Sequence, residues 1–364
     1  MLKPPKKNGL AGAGRLSSGS TCLNLAVSGK TKWAFRQGYY YLLAGKSSSG
    51  KTVVGLAALA EACISEAFKA HKIIYDQPER GALMNLADWY GKLNDRLEAP
   101  ATDKAGNPKY SETIQEFYYH LDDWVKRKVP FVYLLDSMDS LTSNEEQKKL
   151  DEHKKAYRKR NKTAEKGGAE DGDKPKGSYG DGKAKYNSAM LRRVIHELPK
   201  TNSILIIISQ TRDNLGFGAM FNPETRSGGH ALTYYATAEL WFGIKGKLKR
   251  RVRGRDRKVG TLCRVTVKKN RNTGDEPSVL VPIYTTAGID DVGGMIMFLV
   301  DEKHWKGNKK GSKVEAPEFN YSGDVEGLVT LIEAEGKEQA LALLVSEVWG
   351  DIKKGCEVKR KKRY

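Results

Sequence analysis

An apolar run, Tyr39-Tyr40-Tyr41-Leu42-Leu43-Ala44, ends in Gly45-Lys46-Ser47-Ser48-Ser49-Gly50-Lys51-Thr52, and this G-x-x-x-x-G-K-T stretch constrains the fold more than any other part of the chain. It needs a strand before it and a helix after it. The strand delivers the backbone to a turn whose N–H groups point inward, and the helix aims its positive end at an anion. Gly45 and Gly50 permit the close approach that cradling a phosphate requires. The mechanics of such a loop assign Lys51 to the β- and γ-phosphates and Thr52 to Mg²⁺. Val53, Val54, Leu56, Ala57, Leu59, Ala60 and Ile64 follow at helical spacing, whereas a Gly/Ser linker that merely contained GKT would have polar, aperiodic flanks.

Other strand-like runs alternate with helix-like segments. Residues 71–76 form a buried-type strand ending in Gln77-Pro78-Glu79-Arg80, whose acids stand where they can act on a γ-phosphate or its attacking water. Residues 130–135 close on Asp136 in a Walker B pattern, placing a carboxylate for hydrated Mg²⁺ opposite Thr52. The competing reading of Asp136 is a cap on the next turn. Residues 203–209, the most hydrophobic run, close on Gln210. Residues 82–98, 112–127 and 189–198 read as helices. The alternation predicts an α/β fold with a mostly parallel central sheet covered on both faces, plus a small α-rich C-terminal unit over 291–352. In that unit, residues 295–305 and 325–349 read as helices with Trp305, Trp349, Leu341 and Leu344 as core.

Composition shifts at 144–185 to Lys, Glu, Asp, Arg and Gly. Its first part reads as a charged helix and residues 167–182 as disordered. Residues 1–20 read as a loose basic arm, and 353–364 as a basic tail. The formal net charge of +19 favours a polyanionic partner, nucleic acid before membrane. No apolar run approaches the ~18 residues of a membrane span, and no apolar core follows the basic N-terminus as in a secretory signal. Cys22, Cys63, Cys263 and Cys356 form neither a CxxC pair nor a Cys/His cluster, which argues against structural zinc and for a reduced, cytoplasmic setting.

The segment Gln210-Thr211-Arg212, then Gly216-Phe217-Gly218-Ala219-Met220-Phe221-Asn222-Pro223-Glu224-Thr225-Arg226-Ser227-Gly228-Gly229-His230-Ala231-Leu232-Thr233-Tyr234-Tyr235-Ala236, closely resembles the second DNA-binding loop of the RecA family and the helix after it. With the phosphate loop and the strands ending at Asp136 and Gln210, the resemblance covers about residues 20–290. The divergent ends and the large insertion point to a phage-type member acting in the host cytoplasm. The resemblance implies an α/β RecA-like P-loop ATPase core that uses ATP and Mg²⁺. It would be a DNA-dependent ATPase that binds single-stranded DNA, pairs it with a homologous duplex, and self-associates as a filament or ring with ATP at subunit interfaces.

By that resemblance residues 45–52 hold the nucleotide, with Lys46, Ser47, Ser48 and Ser49 supplying the turn. Gln210 senses the γ-phosphate, and Lys269 and Arg271 in Val265-Thr266-Val267-Lys268-Lys269-Asn270-Arg271 reach a neighbour's ATP. A cationic edge strand facing solvent is the alternative for that pair. Arg212 and Arg226 would contact DNA phosphates, Phe217, Met220 and Phe221 would wedge or stack on bases, and Gly228 and Gly229 would lend mobility. The family's catalytic Glu stands two residues after the strand-terminal Asp, whereas Glu79 stands three after Asp76, so its role as water-orienting base rests on less. The first DNA-binding loop is replaced by the charged insertion, a basic arm or an inert spacer. The family's N-terminal oligomerisation helix is not evident in residues 1–20, and its acidic tail is basic in this chain. A ring helicase or translocase on the same fold, and a non-hydrolysing DNA-binding mediator, remain alternatives.

Overall fold

The computed structural model describes residues 14–80, 86–91, 93–164, 181–213, 224–226, 229–307 and 313–361. Its backbone is one large sheet. The central strands are β1 (Tyr40–Gly45), β2 (Lys72–Asp76), β3 (Leu97–Glu98), β4 (Phe131–Leu135) and β5 (Ile204–Asp213), to which β6 (Glu224–Arg226), β7 (Ala238–Val252), β8 (Arg255–Asn270), β9 (Ser278–Tyr284) and β10 (Gly288–Ile289) are added. The order is β10-β9-β8-β7-β1-β5-β4-β2-β3, with β6 paired to β5. Every contact from β7 through β1, β5, β4 and β2 to β3 is parallel, while β7/β8, β8/β9, β9/β10 and β5/β6 are antiparallel.

The central strands are apolar on both faces because both are covered. Along β1, Tyr41 and Leu43 enter one core while Tyr40 and Leu42 enter the other, and Ile206 and Ile207 divide the same way on β5. The first face is covered by α1 (Thr21–Ser28) and α2 (Lys51–Ile64), and the second by α3 (Ile114–Lys126), α5 (Asp181–Thr201) and α6 (His230–Tyr235). The charged insertion contributes α4 (Asn144–Ala164).

Several expectations change. Residues 14–20 are packed rather than loose: Arg15–Leu16 pairs with Phe35–Arg36, Leu16 is buried, and the Ser20 side chain caps α1. Of the arm, residues 1–13 lie outside the described residues. Residues 181 and 182, expected at the end of the disordered part of the insertion, begin α5, whose start is held down by the buried Asn187 that accepts the Tyr118 hydroxyl at 3.0 Å. Residues 165–180 lie outside the described residues. The expected 325–349 helix is two helices, α8 (Val325–Ala334) and α9 (Glu338–Gly355), broken around Gly336, where φ is +61°. Nor does the C-terminal region form a core of its own. Trp305, Leu328, Leu341 and Val345 share one buried cluster with Leu43 and Ile206, joined through α7 (Asp291–Asp301).

Between β2 and β3 the chain returns along α2. The Tyr90 hydroxyl donates to Val53 O at 3.1 Å, near the start of that helix. At its other end the Arg96 guanidinium donates to five carbonyls, those of Ala62, Cys63, Phe68, Lys69 and His71, at 2.8–3.3 Å. The bonds to Ala62 and Cys63 satisfy acceptors that the C-terminus of α2 otherwise leaves unpaired. Arg96→Ala is expected to lower unfolding free energy by roughly 2 kcal/mol, the scale of hydrogen bonds to a charged group. Denaturant titration reads this directly, and an unchanged midpoint at equal slope would show that water replaces the guanidinium without cost.

Candidate nucleotide site and nucleic-acid loop

The chain leaves β1 at Gly45, whose sheet partners are Gln210 on one side and Phe242 on the other. A Cβ at Gly45 would overlap the Phe242 carbonyl oxygen, so no other residue fits without moving the sheet. Gly50, at φ +97°, opens α2 without a side-chain cap, which leaves the first-turn N–H groups directed into the loop. There too a Cβ would stand 2.7 Å from Ile283 Cδ1 and 2.9 Å from Cys263 Sγ. Gly45→Ala is expected to cost about 1–3 kcal/mol, the scale of local backbone strain. It should also remove nucleotide binding. A variant with wild-type thermal midpoint and affinity would show that the loop can shift.

Lys51 is buried, and its ammonium donates to Gly45 O at 2.8 Å and Lys46 O at 2.7 Å. Burial pushes its pKa below the ordinary lysine value, opposed by the carboxylates of Asp136, Glu79 and Asp139. Thr52 Oγ1 donates to Asp136 Oδ2 at 2.7 Å, and the Tyr75 hydroxyl donates to the same oxygen at 3.3 Å. Burial raises the pKa of Asp136, and the Thr52 hydrogen bond opposes the rise. Hydroxyl and carboxylate oxygens are what Mg²⁺ accepts beside phosphate and water. Among the described residues no group of three His, Cys, Asp or Glu is placed to hold a metal ion by itself. The donor set therefore fits a cation held jointly with phosphates.

Glu79 and Asp76 part company. Asp76 is fully buried and receives Ser111 N at 2.9 Å, Ser111 Oγ at 2.5 Å and the Tyr133 hydroxyl at 2.7 Å. Burial raises its pKa. Glu79 instead lines the phosphate-loop cavity, and its Oε1 accepts from Ser137 Oγ at 2.5 Å, Ser140 Oγ at 2.8 Å and Gln210 Nε2 at 2.8 Å. The Gln210 backbone N–H donates to Asp139 Oδ2 at 2.5 Å. The three-residue spacing from Asp76 thus still brings a carboxylate to the loop, because the turn through Pro78 carries it there.

The cavity has a volume of about 320 Å³ and runs from residues 47–53 past Glu79 and Asp136 to Trp89, Cys263, Tyr284 and Thr285. The latter four went unread in the sequence. They come from segments far apart in the chain: Trp89 from the turn of helix at Leu86–Tyr90, Cys263 from β8, and Tyr284 and Thr285 from the end of β9, gathered only by the tertiary fold. Burial pushes the Cys263 thiol up to about 11, so it is a small apolar wall rather than a nucleophile.

The expected DNA loop begins on β5. Arg212 and Arg226 are strand residues that pair through Thr225↔Arg212 and Arg226↔Thr211, and Gly229 caps α6 with φ +80°. Phe217, Met220, Phe221 and Gly228 lie outside the described residues. Lys269 Nζ donates to Thr233 O at 2.6 Å and Tyr234 O at 2.7 Å, and Arg271 Nη2 donates to Tyr234 O at 2.7 Å. The pair therefore caps the C-terminal end of α6, the helix after the expected DNA loop, rather than facing solvent as a bare edge. Register puts Asn270 opposite Ala238 and Ala238 opposite Tyr41, four residues or roughly 13 Å down β1 from Gly45. At that distance neither cation serves its own chain's phosphate loop.

Residues 169–290 match the family model of the RecA N-terminal domain. Over this stretch the chain is similar to the RecA family. Over 114 residues the chain is 36% identical to protein RecA of Azospirillum lipoferum and 34% identical to those of Brucella canis and Brucella abortus. Each match covers 31% of this chain and 30% of the relative, so the chain aligns with under a third of the RecA proteins it resembles. The phosphate loop precedes the RecA stretch in sequence, yet β1 is inserted between β5 and β7, two strands of that stretch. Fold and family thus meet at one sheet. No helix among the described residues is long and apolar enough to cross a membrane.

Proposed function

We propose that the protein is an ATP-dependent recombinase that binds single-stranded DNA, hydrolyses ATP in response, and promotes pairing with a homologous duplex. The observation that carries this reading is the 2.8 Å hydrogen bond from Gln210 to Glu79. It joins an acid that lines the phosphate-loop cavity to the strand that leads into the proposed DNA loop, so occupancy at one end bears on the other.

In this reading Lys51 and the loop N–H groups hold the triphosphate, and Thr52 and Asp136 hold Mg²⁺. When bound, the metal neutralises charge on the phosphate oxygens. Glu79 orients water toward the γ-phosphate and accepts its proton. Gln210, released from Glu79 toward the γ-phosphate, shifts β5 and with it the segment carrying Arg212, Phe217, Met220, Phe221 and Arg226. Lys269 and Arg271 complete the site of a neighbouring copy, since register keeps them from their own. In this reading copies of the chain self-associate, as filament or ring, with nucleotide between them, and act in the cytoplasm, that of an infected host if the insertion and basic tail mark a phage lineage.

The deciding experiment is ATP hydrolysis by the full chain with and without single-stranded DNA, alongside homologous strand pairing. Hydrolysis stimulated by DNA with pairing supports the reading. Closed rings that unwind duplex without pairing favour a translocase, and no stimulated hydrolysis favours a non-hydrolysing DNA-binding mediator.

A further inference from the structure

Three donors reach the Glu79 carboxylate, and all of them meet one oxygen. Ser137 Oγ at 2.5 Å, Ser140 Oγ at 2.8 Å and Gln210 Nε2 at 2.8 Å donate to Oε1, and among the described residues no hydrogen bond falls on Oε2. Glu79 itself is exposed, on the stretch that leaves β2 through Pro78. The side chain of an exposed glutamate turns about several bonds, so its carboxylate keeps no single place unless neighbours hold it. Two of the three holders are hydroxyls from one turn.

That turn, Met138–Ser140 after β4, is built without help from Glu79. Met138 is buried in the second core, Asp139 Oδ2 takes the Gln210 backbone N–H at 2.5 Å, and the Ser140 N–H donates to Ser137 O at 3.3 Å. Strands β2 and β4 are neighbours with Asp76 beside Leu135, and the Asp136 N–H donates to Asp76 O at 2.8 Å. The segments leaving the two strands therefore run side by side, which brings residue 79 against residues 137 and 140. The two hydroxyls stand 3.2 Å apart, and each directs its one proton to the same carboxylate oxygen.

The serines are not equivalent. Ser137 is fully buried and follows Asp136 directly, so a change there disturbs the carboxylate assigned to Mg²⁺. Ser140 is half-buried, and among the described residues its hydroxyl meets only Glu79 and Ser137.

We propose that Ser140 is a positioning residue for ATP hydrolysis, holding Glu79 Oε1 so that Oε2 is left for the attacking water. This role rests on the reading of Glu79 as the water-orienting base. In that reading Gln210 leaves Glu79 for the γ-phosphate, which removes one of the three donors at the step where orientation counts most. The serine pair, on a turn anchored in the core, keeps the carboxylate in place once the amide has gone. A reacting group displaced by roughly 1 Å loses much of its effect.

The test measures single-strand-stimulated hydrolysis by the full-length wild type, Ser140→Ala, Ser140→Thr, Glu79→Gln and the double variant of Glu79→Gln with Ser140→Ala. Ser140→Ala is expected to lower kcat about tenfold, as for loss of one hydrogen bond to a charged group. Its KM for ATP, equilibrium nucleotide affinity and thermal midpoint should stay at wild-type values. Ser140→Thr keeps the hydroxyl and should remain within twofold of the wild-type kcat. In the Glu79→Gln background no base remains to be oriented, so adding Ser140→Ala should change kcat by less than twofold. A side chain that merely stabilised the turn would lower the rate by the same factor in both backgrounds. Equal factors, a wild-type or faster Ser140→Ala, or a threonine variant as slow as the alanine one overturns the positioning role and leaves the recombinase reading in place. Wild-type turnover by Glu79→Gln, or no hydrolysis by the wild type, overturns the base reading and the role of Ser140 with it.

Discussion

Lys51→Ala is expected to lower single-strand-stimulated ATP hydrolysis by about 10²–10³-fold, the scale for removing one preorganised donor from a site of developing charge. The ammonium lies over the loop, bonded to the Gly45 and Lys46 carbonyls, and is surrounded by Asp136, Glu79 and Asp139. Binding a triphosphate exchanges two neutral carbonyls for anionic oxygens, a gain alanine cannot make. Steady-state phosphate release reads the effect, and a variant retaining a tenth of the wild-type rate would place hydrolysis elsewhere. The same substitution has a signature in stability. Because the folded-state pKa of Lys51 is lowered, the unfolded chain binds more protons between that value and the ordinary 10.5. Stability from this group therefore rises as pH increases through that window. Removing Lys51 removes that rise, and identical alkaline unfolding profiles for the two proteins would show that the ammonium is not penalised by burial.

Glu79→Gln is expected to separate binding from turnover, with hydrolysis falling by about 10²–10⁴-fold as for loss of a general base. Nucleotide affinity should change only a few-fold. The amide keeps an oxygen for the donors on Ser137, Ser140 and Gln210 but cannot take a proton from water. Single-turnover hydrolysis beside equilibrium nucleotide binding distinguishes the two effects. Parallel loss of both would make Glu79 a structural anchor. Wild-type turnover would pass the base role to another group.

The parts of the site legible in the sequence are those whose chemistry dictates local order. A phosphate loop requires its strand and its helix, so β1 and α2 followed from residues 39–64, and Asp136 after β4 and Gln210 followed from the apolar runs ahead of them, although β5 continues past Gln210 to Asp213. Glu79 was readable as an acid near the site but not as the partner of Gln210, because the pair is separated by 131 residues and made only by sheet order. Trp89 and Tyr284 gave no signal for the same reason. The β7/β8 ribbon was hidden differently: its lysines and arginines break the alternation of apolar and polar residues by which a half-buried strand is recognised. The C-terminal segments were legible as helical, though not the break at Gly336 that divides 325–349 in two, whereas their fusion with the main core depends on α7 lying against β9, which no local pattern encodes.

The clasp that Arg96 makes, taken with the Tyr90 bond to Val53, ties residues 90–96 to both ends of α2. A helix fastened at both ends to one neighbouring segment cannot fray alone, and the segment cannot peel away without baring the carbonyls it covers. The two pieces form one cooperative opening unit. Since Trp89 lines the cavity and Lys51 begins the helix, whatever tightens around a nucleotide at one end lowers the population in which Ala62 and Cys63 are open at the other, and the phosphate site reaches some four helical turns into the protein, about 20 Å, without any moving part.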